Sequence, residues 1–322
     1  MGVSRDVATP ARVLPTVATS PPPMAPSLTL RTAALLTLPP LLWASNAVIG
    51  RMVVELVPPA TLNFLRWLLA FFILLPLAGW VLRPGSGLWP HWRRFAVLGL
   101  LGVGLYNALQ YLALHTSTPL NVTLVASSMP LWMLALGRLF FATRVTRAQL
   151  LGALLSMAGV AVVLARGDLA NLARLRLVPG DVYILAATLA WALYSWLLAR
   201  PAEPAAIRAD WAAFLLAQVT FGLGWSGLLA GSEWLLTDAH IRWGWPLAGT
   251  LVFVACGPAV LAYRCWGLGV QRAGPALAGF FSNLTPVFAA LMSALLLNEA
   301  PRPYHALAFG LIVLSIWVSS RR

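Results

Sequence analysis

The chain has 322 residues; 60% are hydrophobic and only 10% are charged. Its 22 basic residues are all arginine, against 9 acidic ones, for a net charge of +13. A soluble domain is about a quarter charged, so the composition excludes a soluble enzyme, a disordered protein and a disulfide scaffold, and leaves an all-α integral membrane protein.

Without lysine there is no G-x-x-x-x-G-K-[ST] phosphate loop and no Schiff-base chemistry. The arginines lie between apolar stretches, which fits membrane topology rather than nucleic-acid binding. Cys256 and Cys265 are nine residues apart on one apparent helix. That is roughly 13 Å, too far for a disulfide.

Residues 1–32 are rich in Pro, Ala, Thr and Ser and read as a disordered tail. Apolar segments follow at 33–54, 60–82, 94–114, 118–140, 148–166, 179–199, 209–230, 245–270, 275–297 and 304–320. Each is close to the ~20 residues of a bilayer span, so ten transmembrane helices are expected. Arginine is concentrated in the tail, in 83–93, 141–147, 200–208 and 271–274, and at the C-terminus, which puts both termini in the cytoplasm.

The halves share a pattern. Trp43-Ala44 in span 1 matches Trp191-Ala192 in span 6, and Arg51 and Arg200 follow at similar distances. Pro119 and Pro130 bracket span 4 at the same spacing as Pro275 and Pro286 around span 9. Residues 33–166 and 179–320 therefore read as two five-helix repeats. Because five is odd, the second is inverted, as in many secondary transporters.

Candidate site residues are the polar and aromatic groups inside these spans. Tyr106, Asn107, Gln110 and Tyr111 share one face of span 3. Polar groups in hydrocarbon must face protein or water, so this face reads as a cavity wall or as glue between helices. The proline offset sets Asn107 and Gln110 opposite Tyr263 and Trp266 of span 8. Trp43 and Trp191, with Asn46 and Tyr194 on the same spans, complete the expected chamber. Ser127, Ser128 and Met129 precede Pro130, and Ser282, Asn283 and Thr285 precede Pro286, where freed carbonyls bind substrate or allow hinge bending.

Arg51 and Arg66 fall toward the outer ends of spans 1 and 2, as a clamp with Glu55 or as snorkelling residues. Arg264 suits either a substrate carboxylate or the cytoplasmic interface. Glu55, Asp181, Asp210 and Glu299 all lie at span ends, which gives obligatory proton coupling little support and leaves facilitated movement, exchange, or coupling through an end-of-span group such as His115 or Glu299 open. Ala148, Gly152 and Ser156 repeat every four residues and form a close-packing face.

The stretches Trp43-Ala44-Ser45-Asn46, Phe64-Leu65-Arg66-Trp67, Trp191-Ala192-Leu193-Tyr194 after Gly180-Asp181, and Asn283-Leu284-Thr285-Pro286 followed by Glu299 carry a family resemblance. Over nearly everything after residue 32 the chain resembles the bacterial drug/metabolite transporter superfamily, EamA-type, and within it the aromatic amino-acid exporters. The resemblance implies a carrier in the bacterial inner membrane that exports small metabolites, amino acids foremost, by alternating access. Its partners are then a small-molecule substrate and the lipid bilayer, with no nucleic acid; a monomer is the default. Arg264 departs from the pattern and leaves the substrate class open.

Two other classes compete. Gly224-Trp225-Ser226-Gly227 matches the G-x-S-G of intramembrane serine proteases, but that chemistry needs a histidine within reach and the late one, His305, starts span 10. Inverted repeats also occur in channels. No zinc motif and no Cys/His cluster is present, so neither metal nor cofactor is expected.

Overall fold

The computed structural model describes residues 28–53, 55–117, 119–165, 168, 170, 178–296 and 303–321. Among them the secondary structure is helical and no strand occurs. Helix α1 is Leu30–Met52 and α2 is Pro59–Ala78. Helix α3 runs over 92–116 and α4 over 119–140, broken at 127–128. Then come α5 (Arg147–Ala165), α6 (Pro179–Ala199), α7 (Trp211–Leu236) and α8 (Trp245–Ala273). Helix α9 occupies 275–296, broken at Asn283, and α10 is Pro303–Ser320. Eight of these helical stretches are long and apolar enough to cross a membrane by themselves; α1 and α3 are outside that set. Observed and expected boundaries agree closely, and α7 extends past the expected 230 to Leu236. The tail before residue 28, Glu299 and Arg302, and the side chains of Arg51, Tyr111 and His115, lie outside the described residues.

Apolar side chains cover the outside, among them Phe72, Leu151, Leu154, Leu228 and Leu307. Apart from Trp225 within α7, the exposed tryptophans gather near helix ends: Trp89, Trp92 and Trp317 at one, Trp234, Trp243 and Trp245 at the other. This is the distribution of a bilayer-embedded protein, with apolar residues toward the tails and indoles at the headgroups.

Four helices contain distortions, and these match between the halves. Residues Leu100–Leu105 of α3 and Ala255–Leu261 of α8 form wide π-turns. The Pro119–Pro275 offset of 156 superposes them to within a residue. In α8 the cause is Pro258, which lacks an N–H and crowds the preceding turn. In α3 the segment holds Gly102 and Gly104, which favour a helix weakly. The same offset maps the α4 break at Ser127 onto the α9 break at Asn283.

Packing follows the same exchange. Helix α5 lies along α10 and α2 along α7, each joining equivalent members of the two halves. The α3–α6 contact has its counterpart in α8–α1, and α4–α6 in α9–α1. Small residues permit close approach. A Cβ on Gly99 of α3 would come within 2.7 Å of the backbone of Gly222 of α7. The face of Gly152 and Ser156 packs inside the bundle, where Gly152 meets the Ser315 carbonyl of α10. Helices α8 and α9 join through Gly274 alone, at φ +82°, a conformation that favours glycine.

Carboxylates secure the helix ends. Glu233 near the end of α7 accepts hydrogen bonds from the Ala60 and Thr61 N–H groups at 3.0 and 2.8 Å and from the Thr61 hydroxyl, so it caps α2 from another helix. At the opposite end Asp210 caps α7 through the Ala212 and Ala213 N–H groups and accepts from Trp80 Nε1. Beside it, buried Glu203 pairs with both Arg94 and Arg208. The two guanidinium groups also donate to the Leu197, Leu198 and Arg200 carbonyls that end α6.

These two clasps differ in depth, which sets an expected order. Glu203→Ala strands two cations and costs about 3 kcal/mol. Glu233→Ala removes a partly exposed cap and costs about 1–2 kcal/mol. Thermal unfolding of the purified variants in detergent checks this: a Glu233 variant less stable than the Glu203 variant contradicts the assignment.

Candidate functional site

Carbonyls within the two π-turns accept hydrogen bonds from side chains of other helices. Tyr263 of α8 donates its hydroxyl to the Gly102 carbonyl at 2.5 Å. Trp43 of α1 donates Nε1 to the Pro258 carbonyl at 3.3 Å. Gly102 and Pro258 are repeat mates, offset by 156. Asn63 of α2 adds a weaker contact to the Val103 carbonyl at 3.4 Å. The helix breaks are joined in the same way: Asn283 Nδ2 donates to the Ser127 carbonyl at 2.9 Å and to the Ser156 hydroxyl at 2.8 Å.

Between these tie points sits an aromatic cluster. The expected pair Trp43 and Trp191 meets edge to face at 5.2 Å between ring centroids. Trp191 also contacts Tyr106 at 5.2 Å, Tyr194 at 5.1 Å, Tyr263 at 5.5 Å and Trp266 at 5.6 Å. Besides Trp43 and Tyr263, two further rings have their polar tips engaged. Tyr194 donates to Gln218 Oε1 of α7 at 2.9 Å, and Trp266 Nε1 donates to Ser195 Oγ at 3.1 Å. In this conformation the rings pack on one another rather than around an open chamber.

The sequence-derived residues therefore divide into groups. Trp43, Tyr106, Trp191, Tyr194, Tyr263 and Trp266 come together in the cluster. Ser127, Met129 and Asn283 are buried at the helix breaks. Asn46, Asn107 and Gln110 are half-buried, and among the described residues none of their side chains has a hydrogen-bond partner. Arg264 is exposed and lies over the Trp211 ring at 4.3 Å. With Tyr194, Gln218 and Tyr263 it lines a narrow cleft of about 40 Å³ at the Glu203 end of the bundle. A larger apolar cavity of about 400 Å³, lined by Leu124, Ser128, Trp132 and Met157, opens between α4, α5 and α6, away from the cluster.

The sequence reading missed Gln218, Ser195 and the face of α2. Gln218 was legible as an amide in the middle of an apolar span. Arg66 was expected as a clamp or a snorkelling residue near the surface; it is instead buried, at 5% exposure, beside Trp67. Four buried polar atoms lack partners among the described residues: Asn63 Oδ1, Arg66 Nε, Trp67 Nε1 and Ser282 Oγ. Three of them belong to α2.

Asp181 sits in the first turn of α6, accepting from the Val178 N–H at 2.9 Å and from the Ser117 hydroxyl, a helix-capping role. Ser226 is buried and bonds the Leu223 carbonyl of its own helix at 3.4 Å. Both cysteines are free thiols. Among the described residues no group of His, Cys, Asp and Glu could hold a metal ion.

Comparison with known proteins agrees with this architecture. The EamA-like transporter family matches the chain twice, over residues 30–165 and 178–321, which are the two halves set out above. The inner membrane transporter YedA of Escherichia coli is 26% identical over 280 residues, 86% of each chain. The transporter YyaM of Bacillus subtilis is 26% identical over 228 residues, 70% of this chain and 72% of its own. The aromatic amino acid exporter YddG of Ancylobacter novellus is 29% identical over 233 residues, 70% of this chain and 74% of its own. A crystal structure sharing 23% identity superposes with a TM-score of 0.70 over 89% of this chain and 95% of the other, so the fold is common to both. Those relatives are transporters rather than enzymes, and the chain belongs to the EamA-like transporter family.

Proposed function

We propose that this protein is a secondary transporter that moves small organic metabolites outward across the bacterial inner membrane by alternating access. Amino acids with hydrophobic or aromatic side chains are the favoured substrates. The observation that carries this reading is the convergence of repeat-matched helix distortions on the Trp43–Trp191 pair. Distorted helices at the centre of a duplicated bundle are where secondary transporters build their sites.

In this reading ten spans form two inverted five-helix halves, 33–166 and 179–320, with α1 and α3 completing the set. Both termini face the cytoplasm, in keeping with the arginine bias. Substrate occupies the space around Trp43, Tyr106, Gln110, Trp191, Tyr263 and Trp266 once the rings part. Aromatic rings suit an apolar side chain, and the unpaired amides of Asn46, Asn107 and Gln110 offer hydrogen bonds to its polar end. The exchange-symmetric packing gives two equivalent ways to open. The breaks at Ser127 and Asn283 supply the bending points. The relative named as an aromatic amino acid exporter supports the same substrate class.

Two measurements check this. Proteoliposomes containing the purified chain are expected to show saturable counterflow of labelled phenylalanine without a proton gradient. Flux without counterflow would indicate a channel, and no flux of any amino acid would overturn the substrate class. Gln110→Ala is expected to slow counterflow while shifting stability by no more than about 0.5 kcal/mol, because its amide has no hydrogen-bond partner among the described residues. Trp191→Ala is expected to cost about 3–5 kcal/mol, because its ring is central to the cluster. Wild-type counterflow in Gln110→Ala removes that residue from the site.

A further inference from the structure

Three residues of α2 share one helix face at i, i+3 and i+4: Asn63, Arg66 and Trp67. They are 2%, 5% and 0% exposed, and each holds a buried polar atom with no partner among the described residues. Arg66 lies seven residues into α2, roughly 10 Å along the helix, and so within the apolar layer.

A buried arginine is a permanent cation that needs an acceptor or a counter-charge. The described ion pairs are Arg94–Glu203 and Arg208–Glu203, at the far end of α2. Glu233 is committed to the α2 N-terminus, Asp181 to the start of α6 and Asp210 to the start of α7. Glu55, Asp168 and Asp238 are exposed. The Trp67 ring, 5.4 Å from the guanidinium carbon, offsets part of the cost but accepts none of the N–H bonds a guanidinium makes in its plane. The same Trp67 ring stands edge to face against Tyr263 at 4.9 Å, so this face of α2 borders the aromatic cluster.

We infer that Arg66 and Trp67 form the subsite for a substrate carboxylate. The inference rests on the carrier reading above and deepens it: the substrate class is narrowed to carboxylates bearing an apolar group. The guanidinium presents a planar fork that matches a carboxylate, and Trp67 Nε1 adds a neutral donor. The apolar part of the substrate then lies toward Tyr263, whose ring touches Trp67, and toward Trp43 beyond it. A buried charge that has no acidic partner among the described residues is neutralised by the ligand, so substrate binding itself offsets the cost of burying it.

The test uses the full chain purified in detergent and three compounds that share a phenyl ring: phenylalanine, 3-phenylpropionate and phenethylamine, the last lacking a carboxylate. The first two are expected to raise the melting temperature of the wild type and phenethylamine to leave it unchanged. Arg66→Gln is expected to melt at or above the wild type without ligand. It should bind both carboxylates at least roughly thirtyfold more weakly. Arg66→Lys, which keeps the charge but loses the fork, should fall between them.

A ligand-free Arg66→Gln that melts several degrees lower and still binds phenylalanine overturns the subsite and makes Arg66 a structural residue. An equal shift with phenethylamine, or no shift with either carboxylate, also overturns it. Counterflow in proteoliposomes separates the two readings. Wild-type phenylalanine counterflow in Arg66→Gln overturns the subsite and leaves the carrier intact. Arg66-dependent carboxylate shifts without any counterflow keep the subsite and overturn the carrier.

Discussion

A backbone carbonyl released inside hydrocarbon must find a donor in the same molecule, because no water is there to supply one. Most features of this bundle follow from that demand. Three of the four distorted helices are met by a side chain from a different helix. Tyr263 reaches Gly102, Trp43 reaches Pro258, and Asn283 reaches Ser127. Distortion in one helix therefore dictates a polar or amphipathic residue on its neighbour. The helices are held in register by these few bonds as well as by packing.

The aromatic cluster gains a second meaning from this. Trp43 and Tyr263 are contact surfaces and structural donors at once. Moving either ring away from Trp191 breaks a bond to a π-turn carbonyl, so ring motion and helix geometry are coupled. The clasp of Arg94, Glu203 and Arg208 acts differently. It ties the end of α6 to the connection that leads into α7 and to the start of α3, so those three segments move together at that end.

Much of this was legible in the sequence. Helix positions follow from apolar runs of bilayer length, eight of them long and apolar enough to cross a membrane. The Trp43–Trp191 contact follows from the duplicated Trp-Ala pairs, and the breaks at 127 and 283 follow from Pro130 and Pro286. The π-turn at 100–105 was not legible, because α3 has no proline there and two glycines do not specify a wide turn. Arg66 was misread for a related reason. Distance from a helix end measures depth along the membrane normal, whereas burial depends on the facing neighbours, which only the packing reveals. Arg264, at comparable depth, is exposed and stacked on Trp211.

The pairing of α5 with α10 has a consequence for biosynthesis. The groove at Gly152 is filled by Ser315 and Ser319, more than 160 residues later in the chain. Membrane proteins are made from the N-terminus onward and domains fold in that order, yet here α5 of the first half packs along α10 of the second. Until α10 is inserted, the α5 face at Gly152 and Gly159 stands open to lipid or to an accessory protein. Closure of this face of the transporter thus waits for α10, long after α5 itself has been made.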